Sequence, residues 1–132
     1  MSNEFLSKGV KIAKLPSDYG STGFKMFKGS FLNNVEVAYE TWGTLSINHD
    51  NVILLFTGLS PSSHAASSES NKSSGWWEYM IGPGKSINTN KYFVICISSL
   101  GSCFGSTSPA SINKKTGLVY GLDFPELSIE DI

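Results

Sequence analysis

The feature that most constrains this chain is the run Val52-Ile53-Leu54-Leu55-Phe56, followed at once by Thr57-Gly58-Leu59-Ser60-Pro61. Five bulky apolar residues, β-branched at the start and ended by Gly and Pro, read as a strand buried on both faces. Such strands sit in the middle of parallel sheets with helices on both sides. Asn90–Ile97 is a second continuous apolar run of the same kind. The expected class is therefore α/β. In such sheets ligands gather just beyond the carboxyl ends of the strands. That directs attention to the loop from Thr57 to Ala66 and to Ser98–Ser108. Both are rich in Gly, Ser and other small residues, which leave backbone N–H groups open to a ligand.

The rest of the chain is weaker in pattern. Residues 1–23 read as a loosely held amino-terminal arm and 24–132 as one domain. Phe24–Phe27 reads as a short strand and Gly29–Asn34 as a turn. Val35–Trp42 alternates with period two, as a half-buried strand does. Glu36 and Glu40 share one of its faces and are read as solvated rather than as an acid/base pair. The stretch between His64 and Gly75 has no periodicity and reads as a mobile loop. Gly75–Gly82 offers a short aromatic helix or turn, with Trp76-Trp77 as a hydrophobic plug against the sheet. Ser111–Tyr120 is a turn-and-return excursion. Ser128-Ile129-Glu130-Asp131 resembles a helix N-cap with acidic residues in the first turn. The two central strands call for helical cover that this sequence does not supply.

Composition narrows the function classes. The 132 residues suffice for one modest domain, and the net charge of -1 lacks the basic excess that nucleic acid or an anionic membrane surface demands. No apolar stretch approaches the roughly 18 residues of a membrane span. The amino terminus has no signal-peptide core. A cytoplasmic protein is the expectation, with Cys96 and Cys103 as free thiols. His49 and His64 stand near no Cys or acidic cluster at ligand spacing, so no metal site is expected.

Individual motifs fail their tests. Gly82-Pro83-Gly84-Lys85-Ser86 ends like a phosphate-binding loop, but Tyr79 occupies the position of its first Gly, and Ile87 rules out a dinucleotide fingerprint. The G-x-S-x-G elbow of serine hydrolases is absent. His64 beside Ser62 and Ser63 offers a base and two hydroxyls, but triads are assembled from distant segments. His64 is read instead as a loop residue that hydrogen-bonds backbone.

Longer blocks say more. Val37–Leu45 (VAYETWGTL), Thr57–Ala66 (TGLSPSSHAA), Gly75–Lys85 (GWWEYMIGPGK), Tyr92–Asn113 and Tyr120–Asp131 (YGLDFPELSIED) together resemble the homoserine O-acetyltransferase family, in register and in order. The TGLSP form of the loop and the DFPELSIED ending are most similar to its serine O-succinyltransferase branch. Thr57–Pro61 stands where homoserine-using members usually read H-A-L-T-G, and Ser98 where the family usually has Asn.

The resemblance implies an α/β-hydrolase fold, here incomplete and holding the amino-terminal strands of the central sheet. It implies ping-pong acyl transfer from an acyl-CoA co-substrate, acetyl or succinyl, to the hydroxyl of L-serine or L-homoserine, with no further cofactor. It places Leu59 as a backbone N–H donor of the oxyanion hole and Gly58, Leu59, Ser60, Pro61 and Ser62 at the substrate, on a strained Gly-rich turn. It puts the nucleophile, Asp and His beyond Ile132, so an amino-terminal fragment, inactive alone, is expected. The edge left open should be that of Tyr92–Ile97. Full-length members are expected to be homodimers. The rival expectation is a non-catalytic module that assembles with a separately encoded carboxyl-terminal half.

Overall fold

The structure, a computed structural model, describes residues 6–16, 23–58 and 60–132. Its frame is a four-stranded mixed sheet. Strand β1 (Lys11–Lys14) pairs antiparallel with β4 (Glu36–Trp42), β4 pairs antiparallel with β8 (Phe93–Ile97), and β8 pairs parallel with β5 (Val52–Phe56). Strand β8 thus inserts between two strands that precede it in the chain. Asn51 pins the point where the three meet. Its side-chain amide donates to the carbonyls of Thr44 and Lys91 and accepts from Ser46 N–H. At the same end Gly43 has φ +78°, and a Cβ there would fall 2.2 Å from the Tyr92 carbonyl oxygen, so only glycine fits.

Around the sheet are a small hairpin of β2 (Phe24–Lys25) and β3 (Phe31–Leu32), and a two-stranded parallel pair of β6 (Ile81–Gly82) and β7 (Ile87–Asn88). The excursion expected at Ser111–Tyr120 closes through an Ile112–Val119 bridge. The cap expected at Ser128 is present: its N–H and hydroxyl both donate to Asp131 Oδ2 at 2.9 Å, although the turn that follows is 3-10. Lys11–Lys14, expected within a loose arm, is a sheet strand.

One face of the sheet carries the main apolar cluster. Trp42, Val94 and Cys96 point into it, and Ala65, Ala66, Ile81 and Trp77 pack over them. A second cluster of Met26, Leu32, Val35, Leu100 and Tyr120 sits under the hairpin.

Two expectations fail here. Val52–Phe56 is not buried on both faces: Ile53 and Leu55 pack on the core, while Val52, Leu54 and Phe56 are 44%, 48% and 65% exposed. Nor does the free edge belong to Tyr92–Ile97, since β8 is interior and β5 is the edge strand. Val52–Phe56 thus carries the composition of an interior strand at an edge position. Among the described residues, however, there is no α-helix to cover its outer face, only 3-10 turns at Gly121–Asp123 and Ile129–Asp131.

Candidate functional site

The carboxyl ends of the parallel pair β5 and β8 open into the two small-residue loops, and short hydroxyl side chains lace these loops together. Thr57 Oγ1 donates to the Ile97 carbonyl at 3.1 Å, and Ser99 Oγ donates to the Thr57 carbonyl at 3.2 Å. Ser98 Oγ accepts from Ser63 N–H at 3.0 Å, and Ser106 Oγ donates to the Ser98 carbonyl at 2.6 Å. Ser106 and Thr107 in turn accept from the Ala38 and Glu36 N–H groups of β4. Ser98, Ser99, Ser106 and Thr107 are buried. Small side chains are needed here because each must satisfy a neighbouring backbone group without filling the space between loops.

Of the residues singled out from the sequence, Gly58 and Ser60 are exposed, and Pro61 and Ser62 are half-buried. A Cβ on Gly58 would meet only Pro61 Cδ, at 3.9 Å, so the backbone there is open to a ligand. Gly58 does not have a left-handed φ, so the expected strain is not found at that residue. Leu59 lies outside the described residues. Hollows of about 660 Å³ beside Glu36 and Cys103, and about 680 Å³ beside Glu40 and Glu78, are lined by other residues.

A buried polar network flanks this loop. Glu40 is only 2% exposed, which overturns its reading as solvated. It shares the inward face of β4 with Ala38 and Trp42 and is buried because its partners come to it. Ser7 Oγ donates to Oε1 at 2.7 Å, and His64 Nδ1 lies 3.0 Å from Oε2. His64 Nε2 lies 3.0 Å from the Ser73 carbonyl oxygen, the backbone contact expected of it, and 3.3 Å from Ser73 Oγ.

Ser73, His64 and Glu40 thus share the order of a catalytic triad without its function. The Ser73 carbonyl can only accept, so its 3.0 Å contact is a hydrogen bond when Nε2 carries the hydrogen, and Nε2 then offers no lone pair to a hydroxyl. Ser73 Oγ is itself turned to Asn71 Oδ1 at 2.5 Å. Neither Ser62 nor Ser63 reaches the ring. Ser62 Oγ accepts from the His64 backbone N–H, and Ser63 Oγ is buried without a partner.

The stretch expected to be a mobile loop is tied down. Glu78 Oε2 accepts from the N–H groups of Ser67 and Gly75, at 2.6 and 3.1 Å, and these bonds hold its pKa down at about 2. Trp42 Nε1 donates to the Ser67 carbonyl at 2.9 Å. Gly75 passes so close to Ala65 and Ala66 that a Cβ would sit 2.2 Å from their backbone atoms. Trp77 packs on the core as a plug, stacked on Trp76 with ring centroids 5.6 Å apart. Trp76 Nε1 donates to the Ser62 carbonyl at 2.8 Å, fixing the far end of the candidate loop. Lys85, in the phosphate-loop-like segment, is engaged by Glu78. Cys96 and Cys103 are both free thiols. Among the described residues no cluster of His, Cys, Asp and Glu could hold a metal, and no helix is long and apolar enough to cross a membrane.

The chain is similar to the serine O-succinyltransferase of Litchfieldella anticariensis, at 66% identity over 108 residues, which are 82% of this chain and 29% of that protein. It is 54% identical over 128 residues to the serine O-succinyltransferase of Stenotrophomonas maltophilia, covering 97% of this chain and 33% of that protein. Among solved structures, homoserine O-acetyltransferase from Bacillus anthracis superposes with a TM-score of 0.77 at 39% identity, over 92% of this chain and 34% of that one. Esterase E22 superposes with a TM-score of 0.78 at 37% identity, with the same coverage of both chains. No family model matches. The chain spans about a third of the length of the curated relatives it matches.

Proposed function

The chain holds a segment of the homoserine O-acetyltransferase family, and we propose that it contributes the acyl-binding side of an acyl-CoA-dependent O-acyltransferase acting on the hydroxyl of L-serine or L-homoserine. The observation that carries this reading is the open backbone at Gly58 and Ser60, set at the carboxyl ends of β5 and β8 and held by buried hydroxyls. In acyl transfer a tetrahedral oxyanion forms, and N–H donors fixed in advance stabilise it more than they stabilise the ground-state carbonyl. The Leu59 N–H is the donor proposed here, and Gly58, Ser60, Pro61 and Ser62 line the substrate beside it. With no G-x-S-x-G elbow in the chain and His64 turned away from Ser62 and Ser63, the chain alone is inactive.

The test is a chimera in which this chain replaces the matching segment of the Stenotrophomonas maltophilia relative. It is assayed for acyl transfer to serine and to homoserine from succinyl-CoA and acetyl-CoA. Turnover supports the reading; a folded chimera that turns over none of the four pairs defeats it. A second reading, a module that assembles with a separately made polypeptide, is favoured by the unpaired apolar edge of β5.

A further inference from the structure

We propose that Glu40 and His64 are a positioning pair for acyl transfer. Together they hold the far end of the Thr57–Ala66 loop, and so set where Ser62 and the open backbone before it stand at the substrate. This role rests on the acyltransferase reading above. The loop has anchors at both ends. Its near end is tied to β8, because Thr57 Oγ1 donates to the Ile97 carbonyl at 3.1 Å and Ser99 Oγ donates to the Thr57 carbonyl at 3.2 Å. Its far end is tied to β4 through the His64 ring, whose Nδ1 lies 3.0 Å from Glu40 Oε2. Between the two lie the glycine, proline and serines placed at the substrate.

Every polar group of His64 is committed to this anchor. Its backbone N–H donates to Ser62 Oγ at 3.2 Å, and its carbonyl accepts from Trp76 N–H at 3.3 Å. Nε2 lies 3.0 Å from the Ser73 carbonyl oxygen, and the Asn71 amide stands 3.4 Å from Nδ1. Trp76 Nε1 donates to the Ser62 carbonyl at 2.8 Å, so His64 and the residue bonded to it grip Ser62 by its hydroxyl and its carbonyl. Ser63 N–H adds a bond to Ser98 Oγ at 3.0 Å. Packing alone does not call for such a pair. Replacing both partners of a buried hydrogen bond by apolar groups of the same shape can be nearly neutral in stability. What two polar side chains supply, and an apolar pair does not, is direction: the ring is held at one angle between β4 and the Ser73 backbone. Donors for a tetrahedral oxyanion must be fixed in advance, and a displacement of about 1 Å costs about 10²-fold in rate.

The experiment uses the chimera described above, in which these residues sit in a protein of the relative's full length. Values of kcat and KM for acyl transfer are measured for Glu40→Leu, His64→Leu, the double variant and Glu40→Gln, each referred to folded protein by tryptophan fluorescence. The expected result is a fall in kcat of about 10- to 100-fold in both single leucine variants and in the double variant, with KM within about threefold. Where a single variant fails to fold, the double variant decides, because it strands neither partner of the Glu40–His64 bond. Glu40→Gln retains at least about a third of kcat, since the amide replaces the bonds of the carboxylate. Its oxygen accepts from Ser7 Oγ, and its NH2 donates to His64 Nδ1 while Nε2–H keeps the Ser73 carbonyl. Met26→Ala truncates the other apolar cluster, under the hairpin, and leaves kcat unchanged.

A folded parent chimera without turnover defeats the acyltransferase reading, and the positioning role with it. An active parent whose folded double variant keeps its kcat leaves that reading standing and overturns the role of the pair. A rise in KM at unchanged kcat also overturns it, since the pair would then serve substrate binding alone. So does a loss in Glu40→Gln as deep as in Glu40→Leu, because charge rather than bond geometry would then matter. An equal fall in Met26→Ala overturns it too, by making the loss a general effect of stability.

Discussion

Replacing Glu40 with Leu should destabilise this chain, although sequence pattern alone gives that residue to solvent. Glu40 is 2% exposed and receives Ser7 Oγ on one oxygen and the His64 ring on the other. Leucine fills the space but takes the carboxylate from the half-buried Ser7 Oγ and leaves His64 Nδ1 only the Asn71 amide, at 3.4 Å. Removing one partner of a buried hydrogen bond, so that the other is left unsatisfied, costs about 1–3 kcal/mol. A small domain has roughly 5–15 kcal/mol in all. His64→Leu leaves the complementary orphan, and the double variant leaves none. If the pair acts as a unit, the double variant is less destabilised than the sum of the singles by about 1.5–3 kcal/mol. Urea unfolding followed by tryptophan fluorescence reads these differences as shifts of midpoint at constant slope. A Glu40→Leu effect below about 0.5 kcal/mol, the size of an ordinary surface change, with no coupling to His64, would refute the reasoning.

Three further outcomes follow from the same geometry. Ile81→Ala, at 1% exposure in the core, should cost about 2–5 kcal/mol, whereas Leu54→Ala on the open face of β5 should cost under about 1 kcal/mol. Equal losses in chemical denaturation would mean that face is covered. Cys96 is buried beside Glu40, and burial pushes its thiol up to about 12. One thiol, that of Cys103, should therefore react with a disulfide reagent in the native protein and two in denaturant. The Cys96 contribution to stability is whole below its ordinary pKa near 9 and is lost as pH rises towards 12. Glu78, held at about 2 by the Ser67 and Gly75 N–H groups, contributes stability that is present above 4.5 and fades as pH falls towards 2. Glu78→Gln should flatten that acid limb in a pH series of thermal melts.

Three of the four strands of the main sheet are legible in the sequence because each has a pattern that water enforces; Lys11–Lys14, exposed throughout, has none. Val35–Trp42 alternates, and Val52–Phe56 and the run ending at Ile97 are continuous. Their order was not legible, because nothing local in Phe93–Ile97 records that it inserts between β4 and β5. That insertion moved the open edge from β8 to β5. The Glu40–His64 contact was hidden by its spacing of 24 residues and by the usual rule that carboxylates face water. One signal was available: Glu40 shares its pleat with Ala38 and Trp42, which are buried. The serine-rich stretch after His64 has no period, and sequence reading takes such stretches for mobile loops. Its order comes from Glu78, the Trp42 indole and the close passage of Gly75, none of which leaves a periodic trace.

The measurement that tests the central claim most directly is the turnover of the Stenotrophomonas chimera with and without Leu59→Pro. Proline has no N–H, so the substitution deletes the proposed oxyanion donor. The account predicts acyl transfer by the chimera, and a fall in kcat of about 10²–10³ with KM little changed in the proline variant. A proline variant as fast as its parent, or a folded chimera without acyl transfer, would contradict it.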